Sequence, residues 1–129
     1  FDLLKEHRFE AVGGPTLGAD PIAGALAAIS YASKKPFKTF IIRKTPKAHG
    51  ARRQIEGPRL RPGAKLILVD DVATSGKSFL ESIDILRAEG FKVDMAICIV
   101  DRQEGASAAL AKKNCRLIPL FTPKDFGIE

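Results

Sequence analysis

Lys65-Leu66-Ile67-Leu68-Val69-Asp70-Asp71-Val72-Ala73-Thr74-Ser75-Gly76-Lys77-Ser78 is the stretch whose reading decides the fold. Its apolar run suits a strand buried on both faces, as in a parallel sheet. A buried strand is a poor place for two adjacent ionised carboxylates, so Asp70 and Asp71 are expected to emerge at its carboxyl end. A helix starting near Gly76 then turns its free N–H groups and positive dipole end toward the same point. The loop offers acceptors for hydroxyls or a metal, with an anion-binding nest beyond them. A phosphorylated sugar satisfies both halves.

The same alternation extends outward in both directions. Strands are expected at 9–12, 37–43, 64–70, 93–100 and 116–121, and helices at 21–33, 76–89 and 105–113. Residues 2–7 read as the end of a helix, and 122–129 show no clear pattern. Asp20 reads as a cap and Pro21 as the first residue of the first long helix, with Ile22, Leu26 and Ile29 facing inward. In the next helix Phe79, Ile83 and Leu86 face the core, and Gly90 ends it. This order predicts one α/β domain over 1–129: a doubly wound, parallel, five-stranded sheet of order 2-1-3-4-5, with helices on both faces. Its switch point lies between the first and third strands, where the loops 13–20 and 70–78 meet.

Residues 44–62 lack a period and carry Pro46, Gly50, Gly57, Pro58 and Pro62, as a functional lid or a disordered segment would. Lys44, Lys47, Arg52, Arg53, Arg59 and Arg61 make the loop basic, and His49 sits within it. The net charge of +6 fits either nucleic acid or a small polyanion. No aromatic residue interleaves the basic stretch, which disfavours nucleic acid. No apolar run reaches membrane-span length. Cys98 and Cys115 lack metal spacing and read as free thiols of a cytoplasmic protein. The chain opens on Phe1, so a preceding segment is expected.

Ser75-Gly76-Lys77-Ser78 is not a Walker A loop, because Asp71 stands where that motif needs glycine. Leu66–Ser78 instead resembles the phosphoribosyl-pyrophosphate (PRPP) motif of type I phosphoribosyltransferases: a hydrophobic run, two acids, two small residues, then Thr and Gly. Arg43–Gly50 with Ile55-Glu56-Gly57 is similar to the mobile loop of the orotate phosphoribosyltransferases. Asp101-Arg102-Gln103-Glu104-Gly105 is similar to their base-binding segment, and Gly14–Pro21 to their first loop. Leu17-Gly18-Ala19 departs from the Tyr-Lys-Gly that many bacterial members carry, and the N-terminal hood is not among these residues.

The resemblance implies transfer of a 5-phosphoribosyl group from PRPP to orotate, giving orotidine 5-monophosphate and pyrophosphate in pyrimidine (UMP) synthesis. It implies Asp70 and Asp71 on the ribose hydroxyls, and the segment Val72, Ala73, Thr74, Ser75, Gly76, Lys77 and Ser78 around the 5-phosphate. Arg43, Lys44, Lys47 and His49 would surround the pyrophosphate, with Lys47 or His49 as proton donor. Thr74 and Arg102 would meet orotate. Mg²⁺ would be held mainly by PRPP, with no direct protein ligand. A homodimer sharing loop 44–57 across its interface is implied as well. A purine phosphoribosyltransferase and a PRPP-sensing transcriptional regulator are the alternative readings.

Overall fold

The structure, a computed structural model, describes residues 1–45 and 54–128. In chain order the strands are β1 (Ala11–Pro15), β2 (Lys38–Ile42), β3 (Ile55–Glu56), β4 (Leu66–Ala73), β5 (Met95–Asp101) and β6 (Arg116–Phe121). The helices are α1 (Asp20–Ala32), α2 (Lys77–Ala88) and α3 (Ala106–Ala111). Short 3₁₀ turns occupy Leu4–Glu6, where the sequence suggests a helix end, and Pro123–Phe126 in the tail.

The strands form one sheet of order β3-β2-β1-β4-β5-β6. Without β3 this is the expected doubly wound order, and all those neighbours are parallel. The sixth strand corrects the five-strand expectation: Ile55 and Glu56 pair antiparallel with Ile42 and Ile41 at the edge. Two residues are too few to show any period in sequence, so only the pairing reveals them.

Successive residues of the central strands point to opposite faces. Leu66, Leu68, Ala96 and Cys98 pack with Phe79, Ile83, Leu86 and Leu110 of α2 and α3. Ile67, Val69, Met95 and Ile97 pack on the other side with Leu26 of α1 and with Leu4. The apolar run thus separates two cores, as expected of a strand covered on both faces. Gly90 (φ 90°) ends α2, its N–H donating to the Arg87 carbonyl while Phe91 N–H donates to that of Leu86.

β1 runs on through Gly13 and Gly14, which by composition belong to a turn. A Cβ on Gly13 would collide with the Phe40 carbonyl, and one on Gly14 with that of Val69. These glycines serve close backbone approach in the sheet, and the same composition in sequence mimics a turn. On α1 the buried positions are Ala23, Leu26 and Ser30, while Ile22 is partly buried and Ile29 is 45% exposed. The inward face is therefore rotated from the expected one, because small residues pack closest to the sheet.

Candidate active site

β4 does not end at Asp70, as the expected 64–70 strand does, but continues through Asp71 to Ala73. Asp71 is exposed, whereas Asp70 keeps only 7% of its surface. This corrects the expectation that both acids emerge. Asp70 lies within the strand because its Oδ1 accepts the Asp71 N–H at 2.9 Å, which partly replaces water. Asp71 Oδ1 accepts the Val72 N–H at 2.7 Å. Burial pushes the Asp70 carboxyl up from the usual 3.8 to about 7, the Asp71 carboxylate adding to the rise and the Asp71 N–H opposing it.

A stability trend follows. Between pH 4 and pH 7 the unfolded chain has lost the Asp70 proton that the folded chain keeps, so the folded state binds more protons there. The Asp70 contribution to stability therefore falls as pH rises through that window and is level above it. Thermal melts across pH 4.5–7.5 should show this slope in the parent and a flatter one in Asp70→Asn. Equal slopes would remove the assignment.

Beyond β4 the chain turns at Gly76 (φ 88°) into α2. Only glycine adopts this φ cheaply, and Gly76 packs against Ala106 and Leu110 of α3. Among the described residues, no acceptor meets the amides of Ser75, Gly76, Ser78 or Phe79. They face a cavity of about 310 Å³ lined by Val72 through Phe79 and by Glu81. Unpaired amides at a helix start make an anion site. The Thr74 and Ser78 residues are exposed toward it, while Ala73 is buried and contributes backbone alone. The Lys77 residue is also exposed.

The turn between β1 and α1 matters more than its sequence suggests. Gly18 lies directly on the acids: a Cβ there would strike Asp70 Oδ1 and come within 2.6 Å of Asp71 Oδ1. The amides of Leu17 and Gly18 find no acceptor among the described residues. Asp20 does not cap α1 as expected. Ala19 is the N-cap residue, and the Asp20 carboxylate accepts the Thr16 hydroxyl at 2.7 Å. A Gly-x-Asp-Pro turn reads as a cap, and only the fold shows Thr16 coming within reach of Asp20.

Arg43 and Lys44 line a second cavity of about 240 Å³ with Thr16, Gln54, Ser78 and Glu81. Ser78 and Glu81 belong to both cavities, so the two adjoin. The Arg43 guanidinium is held 3.2 Å from Glu56, while Arg43 N–H donates to the Gln54 carbonyl. Gln54 Nε2 donates to the Arg43 carbonyl at 3.1 Å. Residues 43 and 54 are thus stapled together at the base of the basic segment. Lys47 and His49 lie outside the described residues, as do Pro46, Gly50, Arg52 and Arg53.

β5 extends to Asp101, expected in the loop but 6% exposed at the strand end. Its Oδ1 accepts the Gln103 N–H at 2.8 Å. Arg102 N–H donates to the Ala73 carbonyl at 2.9 Å, which seats the segment beside the phosphate cavity. The Arg102 side chain is more than half exposed and pairs with Glu104 at 3.5 Å. Cys98 and Cys115 are free and buried, and burial pushes both thiols up to about 11.

The acids, the amide nest and the first turn thus gather at the carboxyl ends of β1 and β4, the switch point of the sheet. The phosphoribosyl transferase domain model matches residues 3–127. The chain belongs to the phosphoribosyltransferase family. An orotate phosphoribosyltransferase of Aquifex aeolicus is 43% identical to this phosphoribosyltransferase over 121 residues, or 94% of the chain. The chain spans 66% of that relative's length and 59% of the Synechocystis one, which is 44% identical. The crystal structure of Mycobacterium tuberculosis orotate phosphoribosyltransferase with PRPP superposes with a TM-score of 0.81 at 32% identity, covering 98% of this chain and 70% of that one. The type I fold is therefore common to both.

Proposed function

We propose that this phosphoribosyltransferase transfers the phosphoribosyl group of PRPP to orotate, forming orotidine 5-monophosphate and pyrophosphate. The observation that carries the reading is the placement of one exposed and one buried acid on β4 immediately before a nest of unpaired amides at the start of α2. A diol and a phosphate on one sugar meet these two features together. The relatives named orotate phosphoribosyltransferase support orotate as the acceptor.

Asp71 accepts the ribose hydroxyls, with Asp70 bracing it from within the strand. The amides from Ser75 to Phe79, with the Thr74 and Ser78 hydroxyls, hold the 5-phosphate. In the reaction the C1–oxygen bond breaks, a ring nitrogen of orotate bonds to C1 and releases its proton, and pyrophosphate leaves with the electron pair of the broken bond. Cations placed on the leaving group stabilise its growing charge. Lys44 at the rim, with Arg43, Lys47 and His49, is assigned to that task, and Lys47 or His49 to protonation. Arg102 pairs with the orotate carboxylate after releasing Glu104, and Thr74 lies beside the base.

Among the described residues, no group of three or more His, Cys, Asp or Glu side chains could hold a metal ion. Mg²⁺ bound to PRPP would neutralise pyrophosphate charge. Among the described residues no helix is long and apolar enough to cross a membrane. We place the enzyme in the cytoplasm as a homodimer that shares residues 44–57 between its subunits.

The deciding test is spectrophotometric loss of orotate with PRPP and Mg²⁺. Turnover supports the reading, and turnover with a purine but not orotate would sink it. Asp71→Asn should raise the Kd for PRPP about tenfold or more, since a hydrogen bond to a charged group is worth about 1.5–3 kcal/mol. Calorimetric titration measures this, and an unchanged Kd would remove the diol contact.

A further inference from the structure

The Thr16–Asp20 hydrogen bond has no part in the roles given above. Thr16 N–H donates to the Ile42 carbonyl at 3.0 Å, fixing the start of the turn to β2. Its hydroxyl donates to Asp20 Oδ2 at 2.7 Å, fixing the start to the end. Asp20 N–H in turn donates to the Leu17 carbonyl at 3.0 Å, and Ala19 N–H to that of Pro15 at 3.1 Å. The turn 16–20 is therefore closed on itself. The second Asp20 oxygen, Oδ1, is buried and meets no donor among the described residues. Leaving a buried carboxylate oxygen without a donor is costly, so a fold keeps one where the group does something else. Closure has a visible consequence. It presses Gly18 onto Asp70 and Asp71, and it leaves the amides of Leu17 and Gly18 without an acceptor.

Those amides have a defined place relative to the sugar. The nest of residues 75–79 takes the 5-phosphate, and the acids take the diol, which adjoins C1. The group on C1 must then reach a neighbouring loop, either 16–19 or 101–105. The first offers free amides, and its Thr16 shares a cavity with Lys44, a cation. The second presents Arg102 already paired with the Glu104 carboxylate. An anionic leaving group is better served by the first.

We propose that Asp20, through Thr16, is a positioning residue that holds the 16–19 turn in the shape that receives the pyrophosphate half of PRPP. This rests on the function proposed above. It also predicts a separation between ligands that a general loss of structure would not give.

The test titrates PRPP and ribose 5-phosphate, each with Mg²⁺, into the parent chain and into Asp20→Ala, Asp20→Asn and Thr16→Val. Removing the carboxylate should weaken PRPP about tenfold, the scale of one lost charged hydrogen bond. Ribose 5-phosphate, which lacks the pyrophosphate, should bind the variant as it binds the parent. Thr16→Val should match Asp20→Ala for both ligands. Asp20→Asn keeps an acceptor for Thr16 and should restore most of the PRPP affinity. Equal weakening of both ligands, or of neither, overturns the proposal. If Asp20→Ala does not fold, Thr16→Val and Asp20→Asn decide it by the same separation. A parent chain that binds neither ligand overturns the phosphoribosyl reading itself, a distinct outcome.

Discussion

Gly18→Ala should reduce turnover about a hundredfold, the scale of a displacement near 1 Å at reacting groups. The added methyl has no free space: it would strike Asp70 Oδ1 and lie 2.6 Å from Asp71 Oδ1. Neither acid can easily give way. Asp70 is buried and bonded to the Asp71 amide, and Asp71 is bonded to the Val72 amide. The turn must lift instead, carrying its free amides away from the acids. The fold should change little, because the turn lies outside both apolar clusters except for Ala19. A steady-state assay beside a thermal melt measures both halves. Parent-like turnover would show that the turn and the acids do not act together.

Phe79→Ala should act in the opposite way, on stability first. Phe79 is 1% exposed on the first turn of α2, within the cluster of Leu66, Ile83, Leu86 and Leu110. Deleting a buried phenyl ring costs about 3–5 kcal/mol, from lost transfer energy and the cavity left behind. For a domain of this size that lowers the melting temperature by roughly 10–20 °C. Native domains hold only about 5–15 kcal/mol in reserve, so the loss is severe. Phe79 also anchors the start of α2, whose amides line the phosphate cavity. PRPP should therefore raise the melting temperature of the variant by binding the folded state alone. Scanning calorimetry with and without PRPP tests both statements. A shift under 5 °C would show that the ring is not a keystone of this core.

These two residues stand on either side of what local sequence can show. Phe79, Ile83 and Leu86 repeat at helical spacing, and all three are buried as expected. The β6 limits of Arg116–Phe121 agree with the pattern as well. Such signals are local, since period and punctuation lie within a dozen residues. Expectation and structure part where a residue answers to a distant partner, as Gly18 does to the two acids. Gly13 and Gly14 look like a turn, yet they respond to the carbonyls of Phe40 and Val69. Ile29 has the right spacing, yet the sheet meets Ala23 and Ser30 instead. Asp20 has the right chemistry for a cap, yet Thr16 takes its carboxylate.

The site divides along the same line. Local pattern alone places two acids toward the carboxyl end of a buried strand, and the alternating order brings the 13–20 and 70–78 loops to one switch point. Those are consequences of periodicity and of the limited ways βαβ units pack. Packing across the fold, by contrast, makes the two acids unequal. Asp70 is buried and holds its proton to about pH 7, whereas Asp71 is exposed. It also decided that Gly18 rests on both acids and that Arg43 is tied to Glu56. Burial and contact are sums over neighbours far apart in the chain, and no local pattern encodes them.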